Sequence, residues 1–299
     1  MYVVLGASGN TGHVVASRLL ADGQKVRVVA RNAAHLQALA AQGAETFVAD
    51  VSDAGALTKA LHQADSAYVM IPPNPASADP LGHSNRVSDA IAAAVKNAGT
   101  KNVVALSSVG AELASGSGPV IGLHNLEQKL NQISNANVLF LRAGYFMENT
   151  LPQVNAIRQM GSVAGTLRAD LKIGMIATRD IGAAAADALL HPAIQGKQTR
   201  ELQGQRDLSY SEVATIIGKA IGKSDLKYVQ VPDDQFRAIL VQMGMSEQMA
   251  KLLVEMTGAM NAGKMRALEP RTAQNTTPTS YETFVAEAFV PAYRQQKAA

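Results

Sequence analysis

A glycine-rich segment near the start of the sequence constrains the fold more than any other feature. The apolar run from Met1 to Leu5 is rich in β-branched residues and predicts a strand. An amphipathic stretch beginning at His13 predicts a helix directly after the glycines. A strand, a glycine-rich turn and a helix in this order support a dinucleotide pyrophosphate at the helix N-terminus. We expect its contacts to come from Gly6, Ser8, Gly9, Asn10, Thr11 and Gly12.

The end of the second predicted strand indicates which dinucleotide is bound. Lys25 to Ala30 predicts that strand, and Arg31 follows it, about 20 residues beyond Gly12. Sites for NAD usually place an acidic residue there to bind the ribose hydroxyls. A guanidinium instead offers several fixed donors to a 2′-phosphate. We therefore expect NADP(H) to be preferred over NAD(H), with a solvated arginine at a strand end as the alternative.

Apolar strands alternate with helical segments through the first half of the chain. Further strands are predicted at residues 45–49, 66–71, 102–106 and 138–141. Repeated strand–helix units of this kind predict an α/β Rossmann fold with a doubly wound parallel sheet. We expect an NAD(P)-binding domain over residues 1–150. Residues 151–299 are expected to form a smaller α/β substrate-binding part, partly interleaved with the first.

Ligands of such sheets lie beyond the carboxyl ends of the strands. The residues at these ends are further candidates for binding the cofactor, along a trough from the adenine to the nicotinamide. Each could equally be an ordinary turn residue, and this alternative is strongest for the paired prolines. The candidates are Asp50, Val51, Ile71, Pro72, Pro73, Ser107, Gly144 and Phe146, with Ser108 beside them near the nicotinamide.

The second half is less regular. Asp180 is expected to cap a helix over residues 181–190, and Ser209 with Glu212 has the spacing of a capping box. Several methionines and leucines then recur at helical spacing between residues 245 and 260. They suit core packing, a deformable pocket wall, or a face that packs against a second copy in a homodimer.

Composition limits the possible partners, metal sites and location of the protein. The formal net charge is only +3, and the basic residues are scattered, so nucleic acid and anionic membranes are not expected partners. There are no cysteines, hence no disulfides or thiolate metal sites, and no metal is expected. The first strand leaves no room for a signal peptide, and no apolar run reaches the ~20 residues of a membrane span. A cytoplasmic protein is the expectation.

Several segments together resemble the NmrA-like branch of the atypical short-chain dehydrogenase/reductases. They are residues 6–12, 29–32, 106–111, 141–149 and 279–284, with His124, Glu127 and Lys129 between them. The resemblance implies the Rossmann fold and an NAD(P) cofactor. The branch includes bacterial NADPH:quinone reductases and triphenylmethane reductases.

One departure bears on mechanism. Short-chain dehydrogenases usually carry a Tyr-x-x-x-Lys pair, but the corresponding helix here offers His124, followed by Gln128 and Lys129. The resemblance makes His124 the candidate proton donor, with Tyr145 or Ser108 as orienting groups. A structural histidine is the alternative. Lys129 either contacts the cofactor or faces solvent.

The leading functional hypothesis is an NADPH-dependent oxidoreductase that transfers a hydride to quinones or similar conjugated small molecules. Such an electron acceptor demands little of the protein, because the proton can come from water or from a histidine. The alternative is a non-catalytic, redox-sensing regulatory protein that binds NADP(H). An isomerase or epimerase of nucleotide sugars is disfavoured, because those enzymes normally keep the tyrosine–lysine pair.

Overall fold

The computed structural model describes residues 1–295, so residues 296–299 of the predicted second region lie outside the described residues. The strands are β1 (Tyr2–Leu5), β2 (Val26–Ala30), β3 (Glu45–Val48), β4 (Ser66–Val69), β5 (Asn102–Ser108), β6 (Asn137–Ala143), β7 (Tyr145–Phe146), β8 (Val163–Gly165), β9 (Ile173–Ile176), β10 (Lys197–Leu202), β11 (Asp207–Leu208) and β12 (Tyr228–Gln230). The helices are α1 (Asn10–Ala21), α2 (Gln37–Ala41), α3 (Ala54–Ala60), α4 (Pro80–Ala98), α5 (Ile121–Asn131), α6 (Gln153–Met160), α7 (Thr178–Leu190), α8 (Tyr210–Ile221), α9 (Asp233–Gln242), α10 (Glu247–Asn261), α11 (Tyr281–Phe284) and α12 (Val290–Gln295). A π-helical segment, Val285–Phe289, joins α11 to α12.

Seven parallel strands form the central sheet, in the order β10-β6-β5-β4-β1-β2-β3. Successive side chains of a strand point to opposite faces, so Val3 and Leu5 pack in one core cluster and Val4 in another. Helices α3, α4 and α5 cover the first cluster, and α1 and α7 cover the second. Burial on both faces explains why β1 is almost continuously apolar. The predicted α/β fold with a doubly wound parallel sheet is confirmed.

The six strands predicted for the sheet are present, with ends shifted by no more than a couple of residues. The seventh strand, β10, is not marked by an apolar run, because Gln198, Thr199 and Arg200 are exposed at the edge of the sheet. It is held instead by a parallel register with β6, from Lys197 beside Val138 to Leu202 beside Ala143.

The prediction that Asp180 caps a helix beginning at Ile181 is wrong. Helix α7 begins at Thr178, which places Asp180 inside its first turn. The buried Asp180 carboxylate instead accepts hydrogen bonds from the Thr279 amide and hydroxyl, at 3.0 and 2.8 Å. This residue therefore attaches the C-terminal segment to α7. The capping box predicted at the start of α8 is confirmed.

The second half of the chain contributes to both parts of the molecule. Helix α7 packs along α1, and β10 extends the central sheet. The other elements surround a third core cluster together with two small sheets, of order β11-β9-β7 and β12-β8. The division of the chain at residue 150 stays a prediction.

Candidate functional site

The loop between β1 and α1 is a tight turn built on glycines. Gly6 has a φ of +65°, a left-handed conformation that glycine adopts without strain. A Cβ at Gly12 would lie 2.4 Å from the Gly6 carbonyl oxygen, so only glycine allows this close packing. Gly9 is the N-cap of α1 and has no side chain to accept a hydrogen bond from the helix. The N–H groups of the first turn are therefore free to bind an anion.

The predicted loop residues divide into exposed and buried positions. Ser8, Gly9 and Asn10 are exposed. Thr11 is buried, and its hydroxyl accepts a hydrogen bond of 2.9 Å from Tyr68. The Thr11 side chain therefore fixes the loop to β4.

Arg31 and Asp50 stand at the carboxyl ends of β2 and β3. Hydrogen bonds from Ser52 lower the pKa of Asp50, and the Arg31 charge adds a smaller effect in the same direction. The Asp50 carboxylate is thereby turned toward the Ser52 amide, at 2.8 Å. Arg31 is exposed and, among residues 1–295, its guanidinium forms no hydrogen bond. Val51 is buried and contributes to the core.

A cavity of about 660 Å³ opens at the carboxyl ends of β4, β5 and β6. It adjoins the glycine-rich loop through Met70, which lines the cavity and packs against Gly6. Seven of the predicted site residues line it: Ile71, Pro73, Ser107, Ser108, Gly144, Tyr145 and Phe146. Within the described part of the chain, Pro72, His124 and Lys129 do not belong to this lining.

The wall of the cavity opposite the sheet is largely apolar. Met256 and Met260 of α10 line it and also pack in the third core cluster. Two of the uses predicted for the methionines between residues 245 and 260, core packing and a pocket wall, are therefore both observed. Met265 lies over Gly110, where a Cβ would come within 2.6 Å of the methionine side chain. A homodimer through this helix stays a prediction.

A buried ionic network fixes Ser107 at the end of β5. The Ser107 hydroxyl donates to Glu127 Oε1 at 2.6 Å, and Arg142 donates to both oxygens of the same carboxylate, at 3.0 and 2.7 Å. The hydrogen bonds that Arg142 donates to Glu127 are the main cause of the raised pKa of Arg142. Because the hydroxyl hydrogen is committed to Glu127, Ser107 can only accept hydrogen bonds from a ligand in the cavity.

His124 lies on α5 and is held by the backbone. Its Nδ1 is 2.8 Å from the Ala111 carbonyl oxygen, which can only accept, so Nδ1 carries the proton. Ser108 donates to the Val109 carbonyl at 2.8 Å, and Tyr145 bonds to Tyr210. Among residues 1–295, neither Ser108 nor Tyr145 forms a hydrogen bond with His124.

Lys129 points away from the cavity toward α4. Its ammonium lies 2.6 Å from an Asp89 carboxylate oxygen and donates to the Asn85 carbonyl at 3.2 Å. These two contacts give Lys129 a role in joining α5 to α4.

Two tyrosines meet at the wall of the cavity. The Tyr210 hydroxyl donates to the Tyr145 hydroxyl at 3.0 Å, and the two rings meet edge to face with centroids 6.3 Å apart. Tyr145 lines the cavity, whereas Tyr210 is buried behind it at the start of α8. Burial raises the pKa of both hydroxyls, so both are protonated at neutral pH.

A second groove of about 630 Å³ lies on the other flank of the glycine-rich loop. Ser8, Gly9 and Asn10 line one side of it, and Glu148 and Arg179 line the other. The Glu148 carboxylate accepts from the Thr178 amide at 3.0 Å and so occupies the N-terminus of α7. An anion in this groove could therefore use α1 but not α7.

Several residues of the site have a role that the sequence-based prediction does not assign, although Glu127 and Arg142 belong to the segments that carry the family resemblance. Glu127 and Arg142 hold Ser107, Tyr210 holds Tyr145, and the C-terminal loop supplies Met265. One signal is present in the sequence: Arg142 and Ser107 each lie one residue before the end of a strand, and the two strands, β6 and β5, are neighbours. No comparable signal joins Tyr145 to Tyr210, because they lie in different parts of the sequence.

The parallel sheet and the glycine-rich loop after its first strand define a Rossmann-type α/β protein. The chain belongs to the NmrA-like family, whose model matches residues 2–286. The resemblance found in the sequence is thus confirmed.

Known relatives match over most of the chain. The NAD(P)H azoreductase of Xenophilus azovorans is 30% identical over 258 residues, 86% of each chain. Quinone oxidoreductase 2 of Escherichia coli is 30% identical over 260 residues, 85% of this chain and 86% of the relative. A crystal structure of the Escherichia coli NADPH-dependent quinone oxidoreductase with NADPH covers 97% of this chain and 100% of that one, with 26% identity and a TM-score of 0.80. The Citrobacter triphenylmethane reductase with NADP(H), at 20% identity, covers 97% of this chain and 100% of that one with a TM-score of 0.79, and it supports the fold alone.

No helix among residues 1–295 is both long and apolar enough to cross a membrane. The same residues contain no cluster of three or more histidine, aspartate or glutamate side chains that could hold a metal ion.

Proposed function

We propose that the protein is an NADPH-dependent reductase that transfers a hydride to quinones or similar conjugated small molecules. The observation that carries the proposal is the apolar 660 Å³ cavity at the carboxyl edge of the sheet, adjoining the glycine-rich loop. A cavity of this size and lining suits a flat, apolar ligand beside a nicotinamide. The azoreductase and the quinone oxidoreductase, each 30% identical to this chain, support the same class of acceptor.

The glycine-rich loop and the neighbouring strand ends fit a dinucleotide. The turn at Gly6 and Gly12 brings the backbone close to a pyrophosphate, and the uncapped N-terminus of α1 would hold its charge. Arg31, with exposed and uncommitted donors among the described residues, would bind a 2′-phosphate. We infer from this a preference for NADP(H) over NAD(H), with Asp50 and Val51 beneath the adenosine end.

Bound NADPH supplies the hydride. Ser107, held by Glu127, would accept a hydrogen bond from a donor group such as the cofactor carboxamide, because it lines the cavity and its own hydrogen is committed to Glu127. Leu123 and the methionines of α10 would exclude water from the acceptor. Phe146 and Ile71 would contact the nicotinamide ring from the side of the sheet.

The direct test is oxidation of NADPH, followed by absorbance, with a panel of quinones, azo dyes and cationic dyes. We expect turnover with at least one class, and tighter binding of NADPH than of NADH. Tight NADPH binding with no turnover across the panel would instead support a redox-sensing regulatory protein. Equal or tighter binding of NADH would overturn the assignment of Arg31.

The sequence-based hypothesis for the proton donor is His124, and it has its own test. Because Nδ1 carries the proton of the neutral ring, Nε2 has none to give unless the ring is doubly protonated. If His124 is the donor, His124→Gln should lower quinone turnover while NADPH affinity stays nearly unchanged. Unchanged turnover removes His124 from the reaction.

A further inference from the structure

A hydrogen bond inside the cavity wall gives Tyr145 a defined direction of donation. Tyr210 donates to the Tyr145 oxygen at 3.0 Å. The position of Tyr210 is fixed by its burial, by the Ser209 capping box one residue earlier, and by the Tyr228 ring, whose centroid is 5.1 Å away. Since the Tyr145 oxygen accepts from Tyr210, its own hydroxyl hydrogen is left for another partner.

The cavity is the place where that partner would lie. Tyr145 lines the cavity together with Ser108, Gly144 and Asn149. Ser108 is already committed as a donor to the Val109 carbonyl, and Ser107 is committed to Glu127. Of these three hydroxyl groups, only that of Tyr145 retains a hydrogen for the ligand.

We propose that Tyr145 donates the proton that completes reduction of a quinone-type acceptor, and that Tyr210 positions it. This rests on the proposed reductase function. The usual tyrosine of short-chain dehydrogenases would lie on α5, where this chain has His124. Tyr145 instead lines the cavity from β7, which follows β6 in the sequence, whereas α5 precedes β6.

The chemistry of the two tyrosines suits this step. Burial raises the pKa of Tyr145, so its proton is present throughout the neutral range. Its hydrogen bonds with Tyr210 and Asn149 act in the opposite direction and keep the hydroxyl acidic enough to donate. A reduced quinone is itself a phenolate, with a proton affinity close to that of a tyrosinate, for which the reference pKa is about 10. After transfer, the O–H of Tyr210 remains bonded to the Tyr145 oxygen and stabilises its negative charge.

Reduction of the acceptor takes one hydride and one proton. The acceptor gains a hydride, which oxidises NADPH to NADP⁺ and leaves the acceptor as a hydroquinone monoanion. The anionic oxygen then takes the hydroxyl proton of Tyr145, which gives the neutral hydroquinone and a tyrosinate. A proton from solvent restores Tyr145 before the next turnover.

A cationic triarylmethyl dye separates proton donation from all other roles of Tyr145. Its central carbon accepts a hydride to give a neutral product, and no proton is taken up. Tyr145→Phe removes the hydroxyl and keeps the ring. We expect about a 100-fold or larger fall in kcat with a quinone, little change with the dye, and unchanged NADPH affinity by titration.

Tyr228→Phe is the matched control, because its hydroxyl donates to the Leu167 carbonyl at 2.8 Å. This variant should keep the ratio of quinone to dye turnover at the wild-type value. Equal losses with both acceptors in Tyr145→Phe, or no loss with either, would overturn the proposal. Wild-type protein inactive with both acceptors would overturn the proposed function instead.

Tyr210→Phe provides a second variant that leaves Tyr145 in place. Without the stabilising hydrogen bond, tyrosinate formation becomes harder, so quinone turnover should fall by about 10-fold, at a KM close to wild type. Dye turnover should again be kept, which a merely structural role of Tyr210 would not produce. The solvent deuterium isotope effect on quinone reduction should rise, because proton transfer becomes rate-limiting. An unchanged ratio of quinone to dye turnover contradicts the positioning role.

Discussion

We expect a single side chain at the end of β2, Arg31, to decide which dinucleotide is preferred. Arg31→Ala should raise the Kd for NADPH by about 10- to 100-fold, because a hydrogen-bonded charge pair is worth about 1.5–3 kcal/mol. The Kd for NADH should change little, since NADH lacks the 2′-phosphate. Lys25→Ala, at the opposite end of β2 and also exposed, is the control. Equal weakening of both cofactors in Arg31→Ala would contradict the role assigned to this side chain.

Glu127 is the side chain that holds together the ionic network beneath Ser107. Glu127→Ala should lower the free energy of unfolding by about 3–5 kcal/mol, because it leaves the largely buried Arg142 without its main partner. Glu112→Ala removes a more exposed partner of the same guanidinium, at 3.1 Å, and should cost about 1 kcal/mol or less. Urea unfolding of both variants measures the difference. Equal losses would show that Glu127 is an ordinary ion-pair partner.

At the scale of elements, two glycines at the start of α1 should respond differently to the same substitution. Gly9 has φ −92° and ψ 169°, a conformation open to any residue, and its Cβ would lie 3.3 Å from the nearest atom. Gly9→Ala should therefore fold with little loss of stability, and it should bind NADPH more weakly because the added methyl would crowd a pyrophosphate held at this turn. Gly12→Ala should lower the melting temperature as well, because its Cβ meets backbone at 2.4 Å. Thermal unfolding without and with NADPH checks both, and a stable Gly12→Ala would contradict the packing argument.

The elements also show what the sequence can and cannot predict. Five strands of the sheet are buried and carry apolar runs that predict them. The edge strand β3 is largely exposed, but Phe47, Val48 and Ala49 still give it an apolar end, so the pattern predicts six of the seven strands. β10 escapes this pattern because it is an edge strand whose exposed residues are polar. The predicted start of α7 is wrong because Asp180 is a residue type that often caps helices, but here its carboxylate binds Thr279, a residue far along the chain.

The sequence likewise predicts the position of some residues of the candidate site and not of others. Loops that follow parallel strands meet at one edge, so Ser107, Gly144 and Phe146 could be placed at the cavity from strand order alone. Lys129 and Tyr210 could not be placed, because their positions depend on tertiary contacts with α4 and β7. Sequence patterns report the face of an element, and only packing determines which neighbour that face meets.

At the scale of the whole molecule, α7 and β10 tie the second half of the chain into the sheet that bears the glycine-rich loop. Ile181 of α7 is fully buried in the same cluster as Val15 and Leu19 of α1. The α1 helix that would hold the pyrophosphate thus depends on a helix encoded far downstream. We expect these elements to unfold together.

Ile181→Ala tests this cooperativity. It should lower the free energy of unfolding by about 2–5 kcal/mol, because it leaves a cavity in a closely packed core. The amides of β1 should lose the same protection against hydrogen exchange as those of α7, since both exchange through one global opening. Val229→Ala, at a side chain that is 46% exposed, should change protection by less than about 0.5 kcal/mol. Loss of protection confined to α7 would show that the helix opens independently, and that the dinucleotide loop does not depend on the second half for its stability.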